Sequence, residues 1–456
     1  MDTRPDAIFP RRFGRSYPYA TRGEGVFLFD ENGKRYLDAI SGAAVANIGH
    51  GVREVVERTF RQAGELSFAH TSQFHTKPAA ELANRLRSKF PGPPQSVLVH
   101  FTPGGSEATE TAIKIVRQHW IHRGEKKRYK IIARWHGYHG ATLGALALSG
   151  RQRSRDPYLP LLPHAEHISA CFCYHCPLKL QYPSCELACA RELEDMIRRA
   201  GPETVAGFIF EPIVGATSGA VPPEGYIRAI REICNRYGIL MIDDEVMMGG
   251  GRTGKYFAIE HWDVVPDLIL IGKGLTAGYM PLGAVLVSEK VWQPIAERNG
   301  SLNHGFTYQG HPPSVAAGLA VQDYLEQHRL VECARIRGDY LAAKLQKLRD
   351  LPCVGDVRGK GLLQTVEFVC DKTTCRPFPA QLHFSDRVSD QLLNRGIVVS
   401  PMTGTVDGER GDHILIAPPF IIEEAQIDWF VRQLQEAVGQ AYRLSTAGEP
   451  MVAPIS

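Results

Sequence analysis

A short apolar run that ends in a lysine decides how this chain is interpreted. Residues 266–274 are "PDLILIGKG", in which four aliphatic residues are followed by Gly272, Lys273 and Gly274. A short, fully apolar run predicts a strand that is buried on both faces of a sheet. A charged lysine is costly to remove from water. Lys273 is therefore either a surface residue in the loop after the strand or a buried amine with a chemical task.

The composition is that of a globular protein with no strong charge bias. The chain has 456 residues, of which 44% are apolar and 22% charged, and a net charge of +3. This length favours two or three structural regions, and the small charge argues against nucleic acid or an anionic membrane as partner. The sequence has neither a membrane-spanning run nor a secretory signal, which predicts a cytoplasmic protein. The ten cysteines are then expected to be thiols or ligands rather than disulfides.

Strand and helix patterns alternate through the middle of the chain. Tyr226, Ile230, Ile233 and Tyr237, for example, share one face of a predicted helix. Such alternation predicts an α/β fold, with a mostly parallel sheet covered by helices. The predicted strands are residues 96–102, 129–134, 204–212, 238–245, 267–271 and 283–287.

The two ends of the chain have a different pattern. Two short strand patterns flank an Asn-Gly turn at residues 32–33, and an amphipathic helical stripe covers residues 427–438. We expect the two ends to form one smaller α+β domain beside the large domain, and the residues from 444 onward to be a loose tail. The predicted bounds are 1–70 and 326–456 for the small domain and 71–325 for the large domain.

Two strand ends carry groups that suit an anion and a planar ring. Gly104, Gly105 and Ser106 lead from a predicted strand into a helix, where free N–H groups and the helix dipole favour a phosphate. A plain glycine turn with a serine cap is the alternative. Tyr138, in "WHGYHGAT", either stacks on a planar ligand or packs as an ordinary tyrosine.

A third strand end carries acids. Asp243, Asp244 and Glu245 end "GILMIDDE", and they are either solvated or part of a site. A carboxylate against a pyridine nitrogen keeps that ring protonated, and a protonated pyridine is an electron sink. An anion-binding helix, a stacking ring, an acid and Lys273 together match the phosphate, ring, nitrogen and aldehyde of pyridoxal 5′-phosphate (PLP).

Long stretches of the chain resemble one enzyme family. Residues 240–289, "LMIDDEVMMGGGRTGKYFAIEHWDVVPDLILIGKGLTAGYMPLGAVLVSE", are similar to the signature of the class III aminotransferases, which are PLP enzymes of fold type I. The resemblance continues through "FTPGGSEATETAIK", "WHGYHGAT", "FEPIVGATSG", "HGFTYQGHP" and "APPFIIEEAQID", over roughly residues 20–440. It implies a two-domain protomer in a homodimer, with active sites at the subunit boundary.

The resemblance assigns roles to the matching positions. It implies that Lys273 forms the Schiff base and then acts as the base, and that Asp244 holds the pyridine nitrogen. Asp243 cannot share this task, because neighbouring strand residues face opposite sides. The resemblance further assigns Val246 and Tyr138 to the two ring faces, Gly105 and Ser106 to the phosphate, Thr307 to the phosphate of the neighbouring subunit, and Glu211 to a site glutamate.

Three departures from the family pattern bear on the site. Met247 replaces a common glutamine, and "PGGS" from Pro103 replaces a common Asn-Ser-Gly-Ser run. Leu415 stands where members that grip an α-carboxylate often have an arginine, and leucine cannot pair with a carboxylate. "GDHILIAPP" instead resembles the amine–pyruvate branch, the ω-transaminases. The resemblance thus implies an amine or ω-amino donor and a keto acid acceptor such as pyruvate; a PLP lyase or isomerase (decarboxylase, racemase or aminomutase) is the alternative.

Two more residues are expected to contact the substrate. Ala44 stands where some relatives have an aromatic residue, which predicts a roomier pocket for a bulky amine. Arg410 lies near the place of a mobile arginine that, in the amine–pyruvate branch, swings in for keto acids and out for amines. A solvated loop arginine is the alternative interpretation of Arg410.

A cysteine cluster falls outside the ordinary family pattern. Five of the ten cysteines lie within residues 171–189. Cys173 with Cys176, and Cys185 with Cys189, form two close pairs, a spacing that predicts a four-thiolate site for zinc or an iron–sulfur cluster with a structural or regulatory role. Cys171 would be the spare thiol. The alternatives are a loop of free thiols, or a metal- or redox-sensing protein that retains the scaffold.

Overall fold

Fifteen strands and thirteen helices make up the fold in the computed structural model, which describes residues 7–13 and 16–446. The strands are β1 (Ala20–Glu24), β2 (Phe27–Asp30), β3 (Arg35–Asp38), β4 (Val97–Thr102), β5 (Lys130–Arg134), β6 (Glu166–Ile168), β7 (Val205–Phe210), β8 (Leu240–Asp244), β9 (Leu268–Ile271), β10 (Gly283–Ser288), β11 (Val354–Lys360), β12 (Leu363–Phe368), β13 (Ile397–Val398), β14 (Ser400–Met402) and β15 (His413–Ile416). The helices are α1 (Ser41–Ala44), α2 (Arg53–Glu65), α3 (Lys77–Ser88), α4 (Gly105–His122), α5 (Leu143–Leu148), α6 (Gln152–Arg155), α7 (Ala188–Ala200), α8 (Tyr226–Tyr237), α9 (Glu289–Asn299), α10 (Pro312–Gln327), α11 (Leu330–Gln346), α12 (Phe384–Asn394) and α13 (Glu424–Thr446).

A seven-stranded sheet with the order β4-β10-β9-β8-β7-β5-β6 forms the centre of the protein. Strands β9, β8, β7, β5 and β6 pair in parallel, whereas β10 is antiparallel to both β4 and β9. All six predicted strands are present, and the predicted α/β class with a mostly parallel sheet is confirmed. The carboxyl ends of β8 and β9 therefore lie side by side.

Helices cover this sheet with the apolar faces that the sequence predicts. In α8, Tyr226, Ile230 and Ile233 are buried, and they pack in the same apolar cluster as Phe208 and Met241 of the sheet. On the other side, α4 buries residues such as Ala112 against β8, β9 and β10. These contacts fix the start of α4 beside the strand ends.

Two four-stranded sheets flank the central one, with the orders β1-β2-β3-β13 and β11-β12-β15-β14. The predicted hairpin around Asn32-Gly33 is formed by β2 and β3, and Gly33 has a positive φ of 77° that suits a glycine. Strand β3 pairs in parallel with β13, so that Leu37 lies opposite Ile397. The N-terminal strands thus join a sheet with a C-terminal strand.

The C-terminal helix is longer than the sequence predicts. Helix α13 continues to Thr446, so residues 444–446 are helical rather than part of a loose tail. The reason is that the apolar stripe continues beyond Val438 to the fully buried Ala441, which keeps this turn packed. The remainder of the predicted tail, residues 447–456, lies outside the described residues. None of the helices within residues 7–13 and 16–446 is long and apolar enough to cross a lipid bilayer.

Candidate active site

Lys273 and Asp244 meet at the ends of two neighbouring strands. Asp244, the last residue of β8, lies opposite Leu270 of β9, and Lys273 follows β9 by two residues. Burial lowers the pKa of the Lys273 ammonium, while the charges of Asp244 and Glu211 act in the opposite direction. A lowered pKa favours the neutral amine, which is the form that acts as nucleophile or base. Lys273 also has a φ of 39°, a conformation that non-glycine residues seldom adopt outside special sites.

Close packing explains Gly274, the glycine after Lys273. A Cβ on Gly274 would lie 2.1 Å from the Asn47 side-chain nitrogen, so no larger residue fits there without a shift. A Cβ on Gly272 would lie 3.4 Å from Val246 Cγ1 and 3.6 Å from Gly105 Cα, which are ordinary contact distances. A Cβ on Gly105 would lie 2.7 Å from Val246 Cγ1. The strand end, the start of α4 and Val246 therefore lie close together.

The first turn of α4 offers an anion site. The N–H groups of Gly105 and Ser106 have no acceptor within their own helix, because α4 starts at Gly105. Ser106 Oγ accepts a hydrogen bond of 3.0 Å from the backbone N–H of Ala141. Its hydroxyl proton remains available to a ligand. Ser106 thereby ties the start of α4 to the loop that carries Tyr138.

Asp244 is held by a histidine that the sequence analysis missed. His139 Nδ1 lies 2.6 Å from Asp244 Oδ2, and both side chains are buried. Asp244 Oδ1 accepts a hydrogen bond of 3.0 Å from the Val246 N–H. These contacts fix the direction of the carboxylate. The available signal was the position of His139 directly after Tyr138 in the strand-end motif "WHGYHGAT".

Glu211 lies buried beside the same loop. Its Oε2 accepts a hydrogen bond of 3.3 Å from the Tyr138 backbone N–H. Burial raises the pKa of Glu211 to about 7, and the charge of Asp244 adds to this while His139 and Arg134 act against it. Glu211 can therefore hold or release a proton near neutral pH.

Asp243 has the opposite environment from Asp244. It is fully buried, and neither of its carboxylate oxygens has a hydrogen-bond partner among the described residues. Burial, with the added charges of Glu245 and Asp244, raises the pKa of Asp243 well above its usual value. The environment of Asp243 therefore favours the protonated acid.

A buried arginine completes the surroundings of Lys273, and it too was missed. Arg252 donates to Asn47 Oδ1 at 2.6 Å and to the carbonyl of Leu362 at 3.2 Å. Burial lowers the pKa of Arg252 to about 9, and its charge contributes to the lowered pKa of Lys273. The available signal was a charged residue within the glycine run "GGGRTG".

The residues that depart from the family pattern lie together. Ala44, Met247 and Leu415 belong to one apolar cluster, which also contains Met402. Met402 borders a cavity of about 840 Å³, and Tyr138 borders the same cavity. Met402 therefore connects the apolar cluster to this cavity, whose other lining residues include Arg151 and Arg153.

Two predicted site residues are not among the groups gathered around Lys273. Arg410 Nε donates to Asp407 Oδ2 at 2.6 Å, and the Arg410 side chain is 51% exposed. Thr307 is exposed in the segment between α9 and α10. The roles of Arg410 at the substrate and of Thr307 at a neighbouring subunit's phosphate stay predictions.

The structure does not support the predicted zinc or iron–sulfur site. Across residues 7–13 and 16–446, no group of three or more His, Cys, Asp or Glu side chains is placed to hold a metal ion. Cys173, Cys176, Cys185 and Cys189 border one small, largely apolar cavity of about 20 Å³, but all four are free thiols. Burial raises the pKa of the Cys189 thiol to about 12. Spacing alone was a misleading signal here.

Comparisons with known proteins agree with this geometry. The family model described as "Aminotransferase class-III" matches residues 10–438. The chain is 39% identical over 425 residues to the uncharacterized aminotransferase YodT of Bacillus subtilis, covering 93% of this chain and 95% of that protein. It is 34% identical to the putrescine–pyruvate aminotransferase of Pseudomonas aeruginosa, covering 92% and 90% of the two chains. The solved structure of a thermostable (S)-enantioselective ω-transaminase from Thermomicrobium roseum superimposes with a TM-score of 0.90 at 38% identity, covering 96% of each chain.

The match extends over nearly the whole chain and includes every strand of the central sheet. It also includes the lysine, the aspartate and the helix start that meet at the strand ends. The protein is a member of the class III aminotransferase family.

Proposed function

We propose that this enzyme uses PLP to move an amino group from an amine or ω-amino compound to a keto acid such as pyruvate. The observation that carries the proposal is Lys273, buried beside Asp244 at the ends of β9 and β8. The similarity to a putrescine–pyruvate aminotransferase and to an ω-transaminase supports the choice of amine and keto acid.

The residues present fit PLP. The glycine contacts at the start of α4 leave backbone N–H groups for a phosphate, and the buried pair of Asp244 and His139 suits a pyridinium nitrogen. When bound, PLP supplies an electron sink for the substrate's reacting carbon. The proposed contacts are Gly105 and Ser106 for the phosphate, Tyr138 and Val246 for the ring faces, Asp244 for the nitrogen, Lys273 for the aldehyde carbon, and Glu211 beside Tyr138.

Lys273 Nζ is the proposed proton carrier. Burial lowers its pKa, which favours the neutral amine, and in this form Nζ would accept the proton from the substrate carbon and hold it as an ammonium. His139 and the Val246 N–H fix the orientation of the Asp244 carboxylate, which would hold the ring nitrogen of bound PLP. Glu211, with a pKa of about 7, can exchange a proton at the same pH.

The apolar cluster supports a donor without an α-carboxylate clamp. Ala44, Met247 and Leu415 are buried apolar side chains, so none of them supplies the cation that a carboxylate clamp at these positions would need. Arg410 remains a proposed mobile group near this region, although it is paired with Asp407.

We also propose a homodimer as the working form. Thr307 is exposed on the protomer, in a segment that His304 ties to α4 through a 2.9 Å contact with Thr111 Oγ1. An exposed hydroxyl on an anchored segment is suited to reach the phosphate site of a second copy.

A donor screen tests the proposed reaction. With pyruvate as acceptor, simple primary amines are expected to give alanine in stoichiometric amount and to outperform glutamate, because Leu415 cannot pair with an α-carboxylate. Alanine is measured by chromatography against a reaction that lacks the donor. A wide margin in favour of glutamate would overturn the proposed donor class, and the absence of stoichiometric alanine with every donor would favour a PLP lyase or isomerase.

A glycine substitution tests the phosphate site. Gly105→Ala is expected to lower the PLP content of purified protein, because its Cβ would lie 2.7 Å from Val246 Cγ1 and push the start of α4 away from the ring. Overpacking of this kind costs about 1–3 kcal/mol. PLP is quantified by absorbance after alkaline release. The matched control is Gly64→Ala, an exposed position of α2 with no atom within 4 Å of the added methyl group, where the PLP content should not change.

A further inference from the structure

Arg151 lies on the wall between two cavities. One is the cavity of about 840 Å³ that Tyr138 and Met402 border. The other has a volume of about 590 Å³ and is bordered by residues that include His136 and Thr403. Arg151 borders both cavities, so it is placed beside the residue proposed to cover the cofactor ring.

The backbone before Arg151 is fixed to the loop that carries Tyr138. Gly150 donates to the carbonyl of Gly137 at 2.7 Å, and His136 donates to the carbonyl of Gly150 at 3.2 Å. A Cβ on Gly150 would lie only 2.4 Å from the Cα of Trp135, so the two segments touch along their backbones. The position of Arg151 relative to Tyr138 is thus set by rigid structure.

The acids that border the two cavities are already paired. Asp407 accepts hydrogen bonds from both Nε and the backbone N–H of Arg410. Asp386 accepts a hydrogen bond of 3.1 Å from Arg12. These are the only carboxylates among the described residues that border either cavity. Neither of them is therefore free to pair with Arg151.

The guanidinium of Arg151 has no acceptor in the described part of the chain. Burial lowers the pKa of Arg151, and the charge of Arg153 lowers it further. Tyr138 raises this pKa, but no carboxylate does. A partly buried cation without a partner is unfavourable unless a ligand supplies the missing anion. A guanidinium binds a carboxylate through two parallel hydrogen bonds.

We propose that Arg151 binds the carboxylate of the keto acid acceptor. The proposal rests on the proposed aminotransferase function and deepens it, because an amine donor has no carboxylate whereas its acceptor has one. The apolar cluster of Ala44, Met247 and Leu415 provides no cation for that group. Arg410 is exposed and paired with Asp407. Four arginines border the cavity of about 840 Å³: Arg12 is paired with Asp386, and Arg11 and Arg153 are exposed. Arg151 is the one of the four that is partly buried without a carboxylate partner.

Steady-state kinetics distinguishes the effect of Arg151 on the keto acid from its effect on the amine. In Arg151→Gln, the KM for pyruvate is expected to rise about tenfold or more, while the KM for a primary amine without a carboxylate changes less than about twofold. The KM of Arg151→Lys for pyruvate should lie between the values of the wild type and of Arg151→Gln. The reason is that lysine keeps the charge but cannot form two parallel hydrogen bonds with a carboxylate. The matched control is Arg199→Gln, an exposed arginine of α7 that donates to the carbonyl of Asp195 at 3.3 Å, borders neither cavity and should leave both KM values unchanged.

Direct binding gives a second readout. Propionate, a carboxylate that cannot accept an amino group, is titrated into the PLP-loaded enzyme by calorimetry, and its affinity should fall about tenfold or more in Arg151→Gln and stay unchanged in Arg199→Gln. An unchanged pyruvate KM, an equal rise in both KM values, or equal losses of propionate binding in the two variants would each overturn the proposal. Failure of the proposed function looks different, since the wild-type protein would then form no alanine although propionate still binds at Arg151.

Discussion

Lys273→Ala is expected to abolish transamination and to end the covalent fixation of PLP by borohydride. Burial lowers the pKa of Lys273, which favours the nucleophilic amine, and alanine has no group that could replace it as nucleophile or base. Activity is measured as alanine formed from pyruvate, and fixation is measured as the mass of the borohydride-treated chain. The fold should survive, because the substitution removes a polar group from a buried position.

Lys126→Ala provides the matched control for this experiment. Lys126 is an exposed lysine in the loop after α4, so its loss should change neither the rate nor the fixed mass. If Lys273→Ala turned over near the wild-type rate, or if its chain still gained the mass of PLP after borohydride, the role given to Lys273 would be wrong.

The fold could be predicted where strands are apolar on both faces. The runs that became β7, β8 and β9 are buried throughout, so they were visible as short uninterrupted apolar stretches. Strand β6 was missed because its three residues include the polar Glu166 and His167. The antiparallel direction of β10 was also beyond the sequence pattern, because its apolar run is the same for either direction of pairing.

The site residues also fall into two groups, those that the sequence could predict and those that it could not. Lys273 and Asp244 could be predicted because each stands at the carboxyl end of a buried strand, where functional sites of such sheets lie. Arg252 and Asn47 are 205 residues apart in the sequence, so no local sequence pattern could predict their contact. The unmatched charge of Arg151 depends equally on which acids are already paired. The metal site predicted from the cysteine spacing was not supported for the same reason, because the spacing gives the separation of the thiols along the chain but not their arrangement in space.

Asp244→Asn is expected to reduce the rate of transamination by several orders of magnitude while much of the PLP stays bound. The amide is neutral, so it cannot keep a pyridinium proton, and each tenfold loss corresponds to about 1.4 kcal/mol of transition-state stabilisation. The asparagine oxygen can still accept from the Val246 N–H, which preserves the local backbone. Single-turnover kinetics measures the rate, and absorbance measures the bound PLP.

Asp243→Asn is the control that decides between the two neighbouring acids. Burial raises the pKa of Asp243 well above its usual value, which favours the protonated acid, and an amide of almost the same shape is a close substitute for that form. Its oxygens have no hydrogen-bond partner among the described residues, and hence no bond is lost. We expect a rate within about tenfold of the wild type. A larger loss in Asp243→Asn than in Asp244→Asn would transfer the role at the ring nitrogen to Asp243, and the hydrogen bond from His139 to Asp244 would then need another explanation.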